Sequence, residues 1–384
     1  MKQAPLIVVI YDGIQNSVFE SQVITPLIKR LEDNPHQKIV IVSFEHTKPS
    51  NDTIQAKIPN HQSITFISCT KLRYIGTLSL HYAARTLHKI LNQYAHYHIL
   101  ARGPLAGFIC QKSVDPIACQ SLTIQARGLL AEEYAYEHAN ENNSLKRLWH
   151  KFRLAQFFHV EQLAYRKQSI CTPYDYTIEA VSKALGEYLI TTYNAPRSAI
   201  TYPQYDMPHG IAKHLLIKWK NEVRNAIDIP HNAPVYCYNG SIKAWQCPEK
   251  VILYFQHKLD KDSSSILYIL TQDVAAFTRL ICQHKLPAHT YRVLQVHHHD
   301  IYRYLAAADV GLMFREPHIV NWVSRPTKAL EYMAAGLIIE HNNTVSWLIE
   351  HQKVLQEYQH TQSQPIKTEY YVEQPINDRL HMYS

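Results

Sequence analysis

The feature that most constrains the fold is a regular alternation of short apolar runs with longer segments of helical period. In the first half, we predict strands at 6–11, 38–44, 64–70, 97–102 and 122–127, and helices at 17–32, 76–94, 145–167 and 176–193. In the second half, we predict strands at 235–239, 266–271, 291–296, 310–314 and 337–340, and helices at 248–259, 273–284, 300–308 and 326–335. Strands that alternate with helices form parallel sheets covered on both faces, so the pattern predicts an α/β protein with two doubly wound, Rossmann-like domains.

A stretch rich in Pro and Tyr, from Asn194 to Pro208, interrupts this alternation and predicts a hinge. We therefore expect an N-terminal acceptor-side domain at 1–197 and a C-terminal nucleotide-sugar-binding domain at 198–360. A tail at 361–384 is expected to return to the N-terminal domain. Doubly wound sheets bind ligands at the carboxyl ends of their strands, so the two domains are expected to face each other across a cleft.

Composition narrows the class of protein further. The chain has 384 residues, 46% of them hydrophobic, and a formal net charge of +7. This charge is too dilute to predict a nucleic-acid partner, but it suits anionic small molecules or membrane surfaces. The longest apolar runs, such as Leu6 to Ile10, are far shorter than the roughly 20 residues of a spanning helix. The start of the chain, Met1 to Pro5, shows no signal core, so we expect a cytoplasmic protein.

The segment with the strongest chemical signal is FREPHIVNWVSRPTKALEYMAAG, from Phe314 to Gly336. It leaves a strand and enters a helix near Pro326, whose first-turn N–H groups would form an anion site at the strand ends. Lys328 and Glu331 share one face of this helix. An ammonium near a diphosphate and a carboxylate near ribose hydroxyls would suit a nucleotide sugar. A surface Lys–Glu pair on an ordinary helix is the alternative.

Two parts of the second half carry a family resemblance. AADVGLMFRE, Ala307 to Glu316, and SRPTKALEYMAAG, Ser324 to Gly336, resemble the donor-binding strand and helix of family 4 retaining glycosyltransferases, which have the GT-B fold. The resemblance implies a hexosyltransferase-type enzyme of polysaccharide biosynthesis. It would move a sugar, with retention and without metal or cofactor, from a nucleotide diphosphate donor to a glycan or lipid-linked acceptor. A UDP-sugar is favoured as donor. A nucleotide-sugar epimerase, a phosphorylase and a degenerate, non-catalytic binding protein are the alternatives.

The resemblance also implies donor-binding residues. YDGIQNSVFESQV, from Tyr11 to Val23, resembles the first loop and helix of the family, and YNGSIKAW, from Tyr238 to Trp245, resembles the first turn of its donor domain. The implied donor-binding set is Gly13, Gly240, Ser241, Thr271, Arg315, Asn321, Ser324, Thr327, Lys328 and Glu331. Ser17 is placed on the acceptor side. Plain turns and helix caps are the competing interpretations for Ser17, Gly240 and Thr271.

Departures from the family pattern concern the reacting centre. Many members have two glutamates eight positions apart, but Val323 stands where the first would be, with Glu316 or Asn321 as candidate replacements. Where many members carry a histidine, this chain has Arg102, which with Lys328 is predicted to be catalytic by stabilising the leaving diphosphate. Binding of an anionic acceptor and structural ion pairing are the alternatives for Arg102. Arg127 is predicted on the acceptor side.

Two further segments resemble functional elements. The tract His297 to Asp300 looks like a metal-binding run, but it joins a strand to a helix, so no metal site is predicted. The helix from Leu145 to Phe158 interleaves cations with aromatic residues and predicts peripheral contact with the inner face of a membrane. A helix that packs its aromatic residues on the sheet is the alternative, and it is the one that the pattern favours.

Overall fold

The chain divides into two compact units, Met1–Asp206 and Met207–Ser384. The computed structural model describes residues 4–16, 19–166, 173–203 and 210–351. Ser17 and the predicted tail at 361–384 lie outside the described residues. The division between the units falls within the Asn194–Pro208 stretch.

The first unit is built around a seven-stranded parallel sheet. Its strands are β1 (Leu6–Ile10), β2 (Ile39–Glu45), β3 (Ile64–Thr70), β4 (Tyr97–Arg102), β5 (Cys119–Ala126), β6 (Asp175–Ala180) and β7 (Ile200–Thr201). Their order is β3-β2-β1-β4-β5-β6-β7. A π-helical turn, Glu20–Ile24, runs into α1 (Thr25–Asp33); the later helices are α2 (Asn51–Lys57), α3 (Thr77–Leu91), α4 (Gly103–Ser113), α5 (Leu130–Glu137), α6 (Ser144–Tyr165) and α7 (Lys183–Tyr193).

The second unit is built around a five-stranded parallel sheet. Its strands are β8 (Val235–Asn239), β9 (Ile266–Leu270), β10 (Tyr291–Leu294), β11 (Val310–Met313) and β12 (Ile338–His341), in the order β10-β9-β8-β11-β12. Its helices are α8 (Lys213–Ala226), α9 (Pro248–Leu259), α10 (Val274–Gln283), α11 (Ile301–Leu305), α12 (Ile319–Trp322) and α13 (Thr327–Ala334).

Strand β9 shows why this sheet needs helices on both sides. All five of its residues are buried. Ile266, Tyr268 and Leu270 belong to the apolar cluster on one face, whereas Leu267 and Ile269 belong to the cluster on the other. Successive side chains of a strand point to opposite faces, so an uninterrupted apolar run is stable only when both faces are covered.

The prediction of a single helix at 176–193 is wrong. Asp175–Ala180 is the strand β6, which pairs with β5, and only Lys183–Tyr193 is helical. Ile178 and Ala180 are buried whereas Asp175 is exposed, the alternation of a half-covered strand. The Ser182 hydroxyl accepts a hydrogen bond from the Leu185 N–H at 3.0 Å and so caps the start of α7.

An ion pair between a buried arginine and a half-buried aspartate joins the amino ends of β8 and β11, the strands that lead to the candidate site. The Arg224 side chain is 1% exposed, and its Nη2 lies 2.9 Å from Asp309 Oδ2. The same carboxylate accepts the Val235 N–H at 2.8 Å, and Arg224 Nε donates to the Ala307 carbonyl at 2.9 Å. These bonds satisfy both charges within the fold and fix where the two strands begin.

Candidate functional site

The turn after β8 is fixed by bonds to its neighbours. The Gly240 N–H donates to the Leu270 carbonyl at 2.9 Å, and the Ile242 N–H donates to Asp273 Oδ2 at 3.0 Å. The Tyr238 hydroxyl lies 2.8 Å from the Ser241 carbonyl oxygen. The position of this turn at the carboxyl edge of the sheet is therefore set by β9 and by the start of α10.

Lys328, in the first turn of α13, reaches this turn. Its Nζ donates to Gln246 Oε1 at 2.6 Å and lies 5.5 Å from the centroid of the Tyr238 ring. A Cβ built on Gly240 would overlap the Lys328 ammonium, the Tyr238 hydroxyl and the Gln246 carbonyl oxygen. The absence of a side chain at Gly240 therefore makes room for the ammonium. The sequence predicts that this helix begins at Pro326, but α13 begins at Thr327, so Pro326 is the residue that precedes the helix.

The charges around Lys328 leave the site positive. The pKa of the Lys328 ammonium is lowered to about 7, chiefly by burial; the nearby Arg315 guanidinium acts in the same direction, and Glu331 acts in the opposite direction. Arg315 follows β11 and is 7% exposed, and burial also lowers its pKa. Lys328 and Arg315 lie beside a single carboxylate, that of Glu331. An anion bound here would be stabilised by the two basic groups, and its negative charge would raise the pKa of Lys328 and so favour the protonated form.

Glu331 and Tyr332 tie α13 to the strands. Glu331 Oε2 accepts a hydrogen bond from Asn239 Nδ2 at 2.7 Å, and the Tyr332 hydroxyl accepts one from the Asn239 N–H at 2.7 Å. The Tyr332 ring lies where a side chain on Gly311 would stand. The carboxylate is therefore held at the end of β8 by a helix that is locked onto β8 and β11.

Three of the remaining predicted donor residues in this unit bond to backbone groups. Thr271 Oγ1 accepts the Asp273 N–H at 3.0 Å in the turn before α10, but Asp273, not Thr271, is the N-cap residue of this helix. Asn321 Nδ2 donates to the Glu316 carbonyl at 2.9 Å, and the Ser324 hydroxyl donates to the Asn321 carbonyl at 2.8 Å. These bonds shape the loop before Thr327, the first residue of α13. Their contribution to donor binding stays a prediction.

The position of the missing glutamate is apolar. Val323 is 1% exposed. Glu316 is one of the two candidate replacements for the missing glutamate. Its Oε1 lies 3.4 Å from Lys250 Nζ and accepts a hydrogen bond from Cys247 Sγ at 3.2 Å. Asn321 is 4% exposed. Both candidate side chains are thus held by neighbours within this unit.

Gly13, which is predicted to bind the donor, lies in the loop after β1 in the first unit. Its φ of +77° favours glycine, and a Cβ there would meet the Glu45 carboxylate. Glu45 Oε1 accepts hydrogen bonds from the Ile14 N–H at 2.9 Å and from the Ser43 hydroxyl at 2.6 Å. The carboxylate therefore fixes the loop, and the glycine lets the backbone approach it.

Arg102 and Arg127 line one cavity of about 40 Å³ at the carboxyl end of the first sheet, together with Arg30, Gln22 and Glu179. Arg102 is 8% exposed; its Nε lies 3.5 Å from Asp12 Oδ2, and its Nη2 donates to Gln22 Oε1 at 2.7 Å. Burial lowers the pKa of Arg102, Arg127 adds to this, and Asp12 opposes it. Among the described residues, Arg102 Nη1 is buried and has no hydrogen-bond partner.

The structure thus brings Gly240, Arg315, Lys328 and Glu331 together in the second unit. In the first, it brings Arg102 and Arg127 together. Sequence reasoning missed the partners of these residues, which are Asp12, Gln22, Tyr238, Asn239 and Gln246. Of these, Asp12 and Asn239 could have been found as polar residues directly beside a predicted glycine at a strand end. Gln22 and Gln246 carry no such signal.

Comparison with solved structures gives similarities that extend over nearly the whole chain. A glycosyltransferase from Rickettsia africae ESF-5 has a TM-score of 0.58 and 13% identity, over 94% of this chain and 93% of that one. WaaG, a glycosyltransferase involved in lipopolysaccharide biosynthesis, has a TM-score of 0.58 and 11% identity, over 92% and 88%. A putative UDP-N-acetylglucosamine 2-epimerase from Listeria monocytogenes has a TM-score of 0.50 and 9% identity, over 91% and 82%.

No protein-family model matches the chain, and the comparison with curated proteins gives no match. The similarity to solved structures is therefore one of architecture. It agrees with the two parallel sheets described above, each formed within its own compact unit. Together these observations show that the chain has the two-domain, Rossmann-like GT-B fold.

Proposed function

We propose that the protein is a glycosyltransferase that moves a sugar, with retention, from a nucleotide diphosphate donor to a glycan or lipid-linked acceptor in the cytoplasm. The observation that carries this proposal is the placement of the Lys328 ammonium against Gly240, beside Arg315, at the carboxyl edge of the second sheet. Glu331 lies three positions further along the same helix. This arrangement suits a diphosphate next to the ammonium and a ribose next to the carboxylate.

The proposed chemistry depends on stabilising the leaving group. When the bond from the sugar to the diphosphate breaks, negative charge grows on the departing phosphate oxygen. Lys328 and the first-turn amides of α13 would stabilise that charge more in the transition state than in the ground state, and this difference lowers the barrier. Arg102 is proposed to contribute to the same end. In this proposal the cationic side chains of the protein neutralise the negative charge of the diphosphate, so the reaction needs neither a metal nor a cofactor.

The names of the similar proteins agree with this choice of substrate. Two are glycosyltransferases, one of them involved in lipopolysaccharide biosynthesis, and the third is named for a UDP-sugar. They support a nucleotide-sugar donor, with a UDP-sugar favoured, and a role in polysaccharide biosynthesis. Because one fold carries both transferases and an epimerase, the chemistry must be argued from the site rather than from the fold.

The test is a panel of nucleotide sugars. Thermal shift identifies the donor that stabilises the chain, and the release of free nucleotide is then measured with candidate glycan and lipid-linked acceptors. We expect one donor to raise the Tm and to be turned over. Lys328→Ala should abolish both effects, whereas Lys261→Ala, which removes an exposed lysine elsewhere in the same unit, should change neither.

Other outcomes would replace the proposal. Conversion of the donor to its sugar epimer without any acceptor would indicate an epimerase. Turnover that requires inorganic phosphate would indicate a phosphorylase. Binding without any turnover across the panel of acceptors would support the degenerate, non-catalytic alternative.

A further inference from the structure

Large apolar side chains are exposed along two neighbouring segments of the first unit. Leu72 and Ile75 are exposed before α3, and Leu78 and Tyr82 are exposed within its first two turns. In α6, Leu145, Leu148, Trp149 and Phe152 are exposed. Several are more exposed than covered: Leu145 is 80% exposed, Leu78 73% and Phe152 63%. We call these eight residues the apolar surface. Exposed apolar groups on this scale mark a site of interaction in a folded protein.

Direct contacts join the two segments. Arg153 Nη1 donates to the Tyr74 carbonyl at 3.0 Å, and the Arg153 guanidinium lies 4.7 Å from the ring centroids of both Tyr74 and Trp149. The Tyr74 and Phe157 rings lie 5.1 Å apart. Gly76, just before α3, is in close contact with the Gln156 amide. The exposed residues of α6 and those at the start of α3 therefore flank a single packed junction.

In α6 the exposed apolar residues form a stripe. Leu145, Leu148, Trp149 and Phe152 recur at the spacing of one helix face. The buried residues of α6 lie at its other end, from Val160 to Tyr165. The first half of the helix thus projects from the unit with an apolar face that the described residues leave uncovered. This corrects the interpretation in which Trp149 and Phe152 pack on the sheet, because they are 51% and 63% exposed.

The two segments that carry the apolar surface are basic. Residues 71–89 and 144–160 contain no Asp or Glu. The same two segments contain eight cations, namely Lys71, Arg73, Arg85, Lys89, Lys146, Arg147, Lys151 and Arg153. The whole chain has a formal net charge of +7, so these two segments account for its entire positive excess.

We propose that the apolar surface docks on an anionic lipid bilayer. Apolar side chains among basic ones match an interface in which acyl chains lie beneath anionic headgroups. Within the described residues, no helix is both long enough and apolar enough to cross a bilayer. The surface would therefore lie in the headgroup region, with Trp149 and Phe152 inserted and the flanking cations near the lipid phosphates.

The charge pattern argues against a second copy of the chain as the occupant. A symmetric dimer places the same patch of both subunits face to face. Here that would bring two sets of cations together without a facing carboxylate from either segment, and like charges at such close range repel. A bilayer that contains anionic lipid supplies the missing negative charge.

The test is sedimentation of the full chain with vesicles. The chain should sediment with vesicles of phosphatidylcholine mixed with phosphatidylglycerol, and not with phosphatidylcholine alone. Raising the salt concentration should weaken the association. The triple variant Lys146→Gln, Lys151→Gln, Arg147→Gln should reduce partitioning by roughly a hundredfold. The matched control, Lys183→Gln, Lys213→Gln, Lys261→Gln, makes the same change in net charge at exposed lysines elsewhere and should partition like the parent.

A second pair of variants tests insertion rather than charge. Trp149→Ala with Phe152→Ala should lose binding to anionic vesicles, whereas Ile217→Ala with Leu253→Ala, which removes two other half-exposed apolar side chains, should not. Far-UV circular dichroism and Tm verify that each variant is folded. Equal binding to neutral and anionic vesicles would overturn the proposal. So would unchanged binding of the triple variant, no binding by the folded parent, or a concentration-dependent dimer that Trp149→Ala abolishes.

Discussion

The Lys328 ammonium lies in the space that a side chain on Gly240 would fill. Gly240 is not among the glycines with positive φ, so its backbone conformation is open to other residues. What requires glycine there is the close approach of a cation from a helix 88 positions further along the chain. This is the relationship expected where a turn and a helix start both bind one diphosphate.

Gly240→Ala should fold but bind the donor poorly. The new methyl group would meet the ends of the Lys328 and Gln246 side chains, which can move, and the hydroxyl of the buried Tyr238, which must shift, so we expect the Tm to fall by several degrees. The displaced Lys328 would no longer reach the diphosphate, so affinity for the nucleotide sugar should fall at least tenfold in calorimetry. Unchanged affinity would show that Lys328 need not occupy this position.

Lys328→Met should remove transfer activity and yet stabilise the fold near neutral pH. The folded-state pKa of about 7 lies below the ordinary 10.5, so the unfolded chain binds more protons between these values. The contribution of Lys328 to the free energy of unfolding therefore rises with pH from about 7 to about 10 and is least favourable below 7. We expect the variant to have the higher Tm at pH 6.5, with an advantage that shrinks by pH 9. A lower Tm at pH 6.5 would contradict this.

Binding of the nucleotide sugar should weaken above neutral pH. An anion favours protonated Lys328, and above a pKa of about 7 the free protein must take up a proton to bind. Affinity should therefore fall by up to about tenfold per pH unit above 7. A nucleotide sugar is the right probe because its diphosphate is esterified at both ends and does not titrate in this range. Lys328→Met should bind weakly with a flat profile. A flat profile in the parent would exclude Lys328 as the titrating group.

Glu331→Ala should weaken binding of the nucleotide by roughly 1 to 3 kcal/mol if its carboxylate accepts hydrogen bonds from the ribose hydroxyls. Asn239→Ala is the control, because it removes the amide that holds Glu331 at 2.7 Å and leaves the carboxylate in place. A smaller loss in the control than in Glu331→Ala is expected by calorimetry. Unchanged affinity in Glu331→Ala would assign the residue to holding α13 on β8.

Arg102→Ala should lower the transfer rate by roughly a hundredfold, the loss typical when a preorganised charge-stabilising donor is removed. Arg197→Ala is the matched control, because Arg197 pairs with Glu187 at the surface and is 68% exposed. Steady-state kinetics with both substrates locates the defect. A rise in the KM of the acceptor alone would move Arg102 from the leaving group to acceptor binding.

How far the sequence predicts the fold depends on burial. The bounds of β4, β8 and α9 agree with prediction because largely buried parallel strands and an amphipathic helix leave clear patterns. The bounds of β3 also agree, although only one of its residues is buried. Strand β6, Asp175–Ala180, was missed because its polar outer residues interrupt the apolar run. Helix α4 was missed because it begins with Gly103-Pro104 directly after β4, a pair that usually marks a turn.

The residues of the candidate site also differ in how far the sequence predicts them. Lys328 and Glu331 were placed in the candidate site because SRPTKALEYMAAG resembles a donor-binding helix; their three-residue spacing alone is more typical of a surface pair. Gln246 could not be predicted, because it meets Lys328 across 82 positions and an amide gives no pattern of its own. The place of Asn239 beside Gly240 could be read from the sequence, but its bond to Glu331 across 92 positions could not. The exposure of Trp149 was also misjudged, because amphipathic spacing does not reveal whether the rest of the chain covers the apolar face.

The locking of α13 by Tyr332 limits how the protein could be re-engineered. Lys328 and Glu331 share their helix with a tyrosine whose hydroxyl accepts the Asn239 N–H and whose ring fills the space above Gly311. A substitution that shifts this helix would disturb the core between β8 and β11, so the two polar residues cannot be moved independently of the fold. Changes in specificity are easier to introduce at exposed positions of the flanking segments, such as Lys243, Pro317 and Trp322. Mutant libraries directed at those positions should retain folded protein far more often than libraries directed at α13.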